Sequence, residues 1–279
     1  MSSSSSSTTP PTTTTKKISA TTKPQTYGST LLIARRGLKQ SILLVALHRL
    51  HVKNAFNDEQ YLDLISIFKE VECDTSIHAI VLTGMGDYFS SGADLSQTNF
   101  GDDDNDYDDN DDNDGKNEGF ITKRKGTIDR PAGQFMMTLL SFPKVICCAI
   151  NGPAVGIGVT LLPHCDLVYC TSNSTFWVPF TRIALVPEFA SSVTFVEAMG
   201  LVCANEMLLL GEKIDAEKAV LNKLCIRIID DCKQDCEDAF CQDSIGWRVC
   251  QEIDEKLFSL PNSENTAKVS CRMYKTRHV

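Results

Sequence analysis

Two apolar segments constrain this chain more than any other feature, because each runs straight into a loop of small residues. HAIVLTG (78–84) leads to DYFSSGADLS (87–96), and KVICCAI (144–150) leads to NGPAVGIGVTLL (151–162). A short apolar run bounded by turn residues reads as a buried strand. Glycine lets one backbone approach another closely and takes positive φ without steric cost. Two such loops side by side can aim two main-chain N–H groups at one point. A helix opens in the second loop at Gly156, so its first amides and its dipole are expected to add positive potential there. Those are the components of an oxyanion hole. Either loop alone is equally a plain tight turn. No G-x-G-x-x-G is present, so a dinucleotide-binding fingerprint does not apply.

The flanking pattern supports an α/β fold. STLLIAR and SILLVALH read as two strands joined by the turn-like RRGLKQ. Asn57 is placed to cap a helix with Asp58 and Glu59 in its first turn, and Tyr61, Leu64, Ile65 and Phe68 then recur at helical spacing. With HAIVLTG behind them, these segments form a βαβ unit. A further helix is expected over roughly 127–141, a strand at DLVYCT, and short helices at VTFVEAMG, ANEMLLLG and DAEKAVLNKLC. Pro163 lacks an N–H and would clash with the carbonyl of Val159, so the helix opened at Gly156 should end early.

Composition narrows the classes. Hydrophobic residues make up 42% of the chain, enough for a sizeable core. The formal net charge is −9, and the nine Asp between Asp102 and Asp114 account for all of it. The acidity therefore belongs to one insertion (101–119), which should be solvated and disordered, and implies no basic partner. No frame within it has the glycine and glutamate of a calcium-binding EF-hand loop. Residues 1–28 form a Ser/Thr-rich tail without an apolar stretch, expected to be disordered. It carries Lys16, Lys17 and Lys23 but no Arg, unlike a transit peptide. The twelve Cys lack C-x2-C pairs, which argues for reduced intracellular thiols rather than zinc. No metal site, membrane span or nucleic-acid-binding patch is expected.

In this order and spacing, SSGADL, NGPAVGIGVTLL and the P-E-x-x-S-S-x-x-F pattern from Pro187 to Phe195 resemble the enoyl-CoA hydratase/isomerase (crotonase) family. The closest branch is that of the peroxisomal-type Δ3,Δ2-enoyl-CoA isomerases. The resemblance covers about residues 30–260 and implies a crotonase (ClpP-like) fold of repeated ββα units over 29–260. It also implies a shortened C-terminal segment at 261–279. By position, the backbone N–H groups of Ala93 and Ile157 would bind a thioester oxygen. Ser90, Ser91, Gly92, Ala93, Asp94 and Gly156 would line the CoA and thioester path, and Lys53 would lie near the CoA phosphates. No cofactor is implied, since CoA arrives as part of the acyl-CoA thioester substrate. A homotrimer is implied, as is a peroxisomal or mitochondrial location, although no S-K-L-type terminus accompanies it.

The resemblance also bears on the carboxylates. The two glutamates of the hydratases are replaced here by Thr160 and Phe180, which disfavours addition of water. Glu188 stands where the isomerase branch carries its base, among Leu185, Val186, Pro187, Phe189 and Ala190. An apolar setting raises a carboxyl pKa and improves it as a base near neutrality. Read without the family, Glu188 is equally a surface residue at a helix start. The implied activity is Δ3,Δ2-enoyl-CoA isomerisation, and the alternative is a catalytically degenerate acyl-CoA-binding or protein-interaction module.

Overall fold

The computed structural model describes residue 18 and residues 22–96, 129–229 and 238–258. The acidic insertion (101–119) and the segment 261–279 lie outside the described residues, as does most of the 1–28 tail.

Strand β1 (Gln25–Tyr27) pairs antiparallel with β2 (Leu31–Arg36), which pairs antiparallel with β3 (Ile42–Leu47). Helix α1 (Asp58–Cys73) then carries the chain to β4 (Ala79–Gly84), parallel to β3. Asn57 caps α1 as its sequence position suggests, accepting the Gln60 N–H at 2.9 Å. Helix α2 (Pro131–Ser141) precedes β5 (Val145–Ile150). Strands β5, β7 (Leu167–Cys170) and β10 (Arg227–Ile228) extend the parallel part, giving a sheet ordered β1-β2-β3-β4-β5-β7-β10.

A second, small sheet sits beside it. It orders β6 (Ala154–Val155), β8 (Thr175–Trp177) and β9 (Ile214–Asp215) as β6-β8-β9. The strands following β5 and β7 thus leave the large sheet and pair with each other. The segment after β4 joins them through a parallel bridge between Ser90 and Ala154. This is the repeated ββα arrangement. Helix α3 (Ile157–Thr160) follows β6, and α4 (Ser191–Met199), α5 (Leu201–Leu208), α6 (Ala216–Leu221) and α7 (Ile245–Ile253) complete the described helices.

Both faces of the large sheet are covered, so its central strands are apolar throughout. Leu43, Val45 and Leu47 of β3 point into one core with Phe68, Phe135 and Phe142. Ile42, Leu44 and Ala46 point into the other, against Ile245, Val249 and Ile253 of α7. Each large apolar side chain buried this way contributes roughly 1.5–3 kcal/mol. The Lys144 ammonium donates to the carbonyls of Val71, Asp74 and Ile77, tying the end of α1 to the start of β5.

Some expectations change. Strand β1 lies inside the stretch assigned to the tail, because three residues suffice to pair along the edge of β2. Helix α3 has only four residues and gives way to a 3-10 turn at Leu162–His164, with Pro163 at its start. Pro163 thus ends the helix as expected, and with so short a helix the dipole adds little at Gly156. Helix α7 carries Ile245, Val249, Cys250 and Ile253 on its buried face behind a Ser244 cap, a pattern the sequence reading passed over. Eight described cysteines are free thiols, most of them in the core. Cys241 is disulfide-bonded, against the expectation of reduced thiols throughout. Its partner lies outside the described residues.

Candidate active site

The two glycine loops meet through their main chains. Gly92 has φ +96°, and a Cβ there would sit 3.2 Å from the carbonyl oxygen of Val155 and 3.8 Å from the nitrogen of Gly156. Gly156 has φ 52° and ψ −119°, the conformation of the first central residue of a type II′ turn, which glycine takes readily. The residues after these glycines are Ala93 and Ile157. Among the described residues, neither of their N–H groups has a protein acceptor. The alternation around Ala93 explains why. Phe56 donates to the Gly92 carbonyl and accepts from Asp94, so the intervening amide of Ala93 points away from Phe56.

A polar framework holds the first loop. The Ser90 hydroxyl donates to the Asn54 carbonyl at 2.9 Å and accepts the Gly92 N–H at 3.1 Å. The Ser91 hydroxyl donates to the Val52 carbonyl at 2.9 Å, and its N–H donates to the Lys53 carbonyl. The Asn54 amide donates to the carbonyls of Met85 and Tyr88, both at 2.8 Å. Arg49 donates to Asp94 at 3.0 Å with both side chains largely buried. The side chains of Ser90, Ser91 and Asp94 therefore fix the loop, and what they leave open to a ligand there is chiefly main chain. Lys53 is exposed at the outer edge, its ammonium 4.7 Å from the centre of the Tyr88 ring.

Asp94 is held below the usual carboxylate range, first by the Ser96 hydroxyl at 2.6 Å and then by Arg49, with burial opposing. A depressed native pKa contributes stability that is complete above the ordinary value near 4 and is lost as the pH falls through the native one. Asp94→Asn should therefore cost about 1–2 kcal/mol at pH 7 and flatten this acid limb. Denaturant titrations of both proteins at a series of pH values measure this.

Glu188 lies on a separate element, just before α4. It is half-buried, and burial raises its carboxyl above the usual range. Its carboxylate makes no hydrogen bond or ion pair with a described residue. Its charge reaches the phenol of Tyr61, which is raised first by burial and then by Glu188. The Tyr61 ring packs 5.3 Å from that of Phe56, the residue bridged to Ala93. Glu188 thus lies within electrostatic range of Tyr61, which packs on a residue that supports the first loop. Thr160 and Phe180, which the resemblance sets at the hydratases' glutamate positions, are both buried.

The backbone after Glu188 is unusual. Phe189 has φ +52° and Ala190 φ +54°, and the Ser191 N–H donates to the Glu188 carbonyl at 3.0 Å. This is a left-handed turn of the type I′ kind, normally built from Asn-Gly. Each non-glycine residue in that region costs roughly 1–2 kcal/mol. The Phe189 carbonyl lies 3.0 Å from Nε2 of His164, and the two rings stack with centroids 4.2 Å apart. Sequence reasoning passed over His164, Arg49 and Asn54. The only signal was Asn54 itself, a residue tolerant of positive φ, found here at +57°.

Known proteins show the same architecture. The enoyl-CoA delta isomerase 2 of Rattus norvegicus is 38% identical over 178 residues, which are 64% of this chain and 41% of that protein. The peroxisomal enoyl-CoA delta isomerase 3 of Mus musculus is 33% identical over 181 residues, 65% of this chain and 52% of that one. The chain thus spans about half the length of these relatives or less. The solved structure of OdaA from Pseudomonas aeruginosa superimposes with a TM-score of 0.71 at 27% identity, covering 90% of this chain and 86% of that one. Residues 37–228 match the sequence profile described as enoyl-CoA hydratase/isomerase, and the chain belongs to that family.

Proposed function

We propose that this chain is a Δ3,Δ2-enoyl-CoA isomerase with Glu188 as its single base. The observation that carries the reading is Glu188 itself: a half-buried carboxylate with a raised pKa and no partner among the described residues, in a chain whose two hydratase positions are Thr160 and Phe180. The thioester oxygen of a 3-enoyl-CoA accepts from the N–H groups of Ala93 and Ile157. That polarisation acidifies C2. Glu188 removes a C2 proton and leaves a dienolate, whose negative charge rests on the oxygen held by the two amides. The protonated Glu188 returns the proton at C4, giving the conjugated trans-2-enoyl-CoA. Proton and charge balance without a metal or redox cofactor in this scheme. Lys53 sits at the outer edge of the loop, where it would meet the CoA phosphates. The isomerase relatives and the named location of the mouse protein support the same reaction and a peroxisomal setting for this chain.

The test is ultraviolet absorbance of a trans-3-enoyl-CoA mixed with the protein. Growth of the conjugated enoyl thioester band is expected, with no 3-hydroxyacyl-CoA formed from trans-2-enoyl-CoA. Acyl-CoA binding with no turnover would instead favour a binding module.

A further inference from the structure

The geometry points to His164 as a positioning residue for Glu188: it clamps the left-handed turn that sets the glutamate's direction. This inference rests on the base assigned above. Glu188 is the first residue of that turn, so its Cα–Cβ vector follows wherever Phe189 and Ala190 are held. Nothing in their identity favours the geometry. Phe189 is a bulky residue at φ +52°, and Ala190 follows at +54°. The helix behind them starts at Ser191 without a side-chain cap, and its Val193 and Thr194 amides hold the Ala190 carbonyl but not that of Phe189. The Ser191 N–H that closes the turn is a single hydrogen bond.

Besides the core in which the Phe189 ring is buried, His164 holds the turn from outside. A carbonyl oxygen can only accept, so the 3.0 Å contact to the Phe189 oxygen requires the proton on Nε2 of His164. The same imidazole lies against the Phe189 ring at 4.2 Å and 28°. One side chain thus restrains both the carbonyl and the ring of the residue in the least favourable backbone conformation. His164 is itself anchored at the end of the 3-10 turn that Pro163 begins, with its N–H on the Leu161 carbonyl. That turn follows α3, which begins at Ile157. The second loop's helix and the base are therefore linked by a side chain that precedes Phe189 by 25 residues.

The ring and the hydrogen bond can be separated. His164→Phe keeps an aromatic surface against Phe189 and removes the donor; His164→Gln keeps an N–H donor near the Nε2 position and removes the ring. Steady-state isomerisation should show kcat falling on the order of 10-fold in His164→Phe, with KM within about twofold and most of the rate recovered in His164→Gln. Phe189→Gly supplies the second arm. Glycine adopts left-handed φ without strain, so in that background His164→Phe should change kcat by less than about twofold. Hydrogen exchange at the Ser191 amide, read without substrate, should accelerate in His164→Phe and not in the Phe189→Gly pair. Unchanged kcat and unchanged exchange in His164→Phe, or an equal loss in both backgrounds, would overturn the clamp. If the wild type does not isomerise, the proposed reaction fails while exchange at Ser191 still decides the clamp.

Discussion

Glu188→Gln should lower the isomerisation rate at least about 10²-fold while leaving acyl-CoA affinity within about twofold. Glutamine nearly preserves the size of the side chain, and the Glu188 carboxylate has no described partner to lose. The amides of Ala93 and Ile157, proposed above to bind the thioester oxygen, are on other segments. The pH dependence makes the expectation sharper. A working base must be ionised, and burial raises this carboxyl, so the acid limb of kcat/KM should lie above the ordinary glutamate value of about 4.3. Stability carries the opposite sign. A raised native pKa means that stability is greatest below the ordinary value and declines as the pH rises through the native one. The glutamine variant should accordingly be at least as stable as the parent at pH 7 by denaturant titration. A stable variant that retains the parental rate would remove Glu188 from the mechanism.

Gly152→Ala should be the most damaging glycine-to-alanine change among the described residues, with a loss of about 3 kcal/mol and of the proposed isomerase rate together. Its Cβ would fall 2.0 Å from the carbonyl oxygen of Asp87 and 3.0 Å from its carbon. Both are main-chain atoms, so no rotamer change can relieve the contact. The Asp87 segment cannot swing away freely. Asn151 accepts from the Gly84 N–H at 3.0 Å and donates to the Gly86 carbonyl at 2.7 Å, and Asn54 grips Met85 and Tyr88. Any shift passes through the Pro153 carbonyl, which accepts from Phe89 and Ser90, to the point where Gly92 meets Val155. Gly200→Ala is the control. Gly200 has φ +80° but nothing within 4 Å of its would-be Cβ, so only conformational strain is added there, about 1 kcal/mol. Equal midpoints in urea for the two variants would show that the contact at Asp87 relaxes freely.

Much of this architecture is legible in the sequence, for definite reasons. Helix α1 is long enough to display its period, strands β3 and β4 read as unbroken apolar runs, and Asn57 marks the boundary with a side chain that then caps it. The glycine loops are legible because glycine is needed where main chains touch, as at Gly92 and Gly156. Strands of two or three residues, such as β6, β8, β9 and β10, have no period to read; they exist because neighbours already in place offer hydrogen bonds. The left-handed turn at Phe189–Ala190 is illegible for a stronger reason. Its residues argue against it, and the side chain that holds them belongs to His164, on another element.

The meeting of Gly92 with Val155 and Gly156 has a further consequence, for how this protein comes into being on the ribosome. The first loop is synthesised well before its partner, and Glu188 emerges later still. Until β5 and β6 have been made and docked, the first loop has its supports from Arg49 to Phe56 but lacks Val155 and Gly156 to lie against. A nascent chain can complete the β2-β3-α1-β4 block, whose contacts are close in sequence, and the supports of the first loop with it, yet lack the second loop and Glu188. The proposed reactivity toward a thioester would therefore be a late property of biosynthesis, arriving only after the body of the sheet is secure.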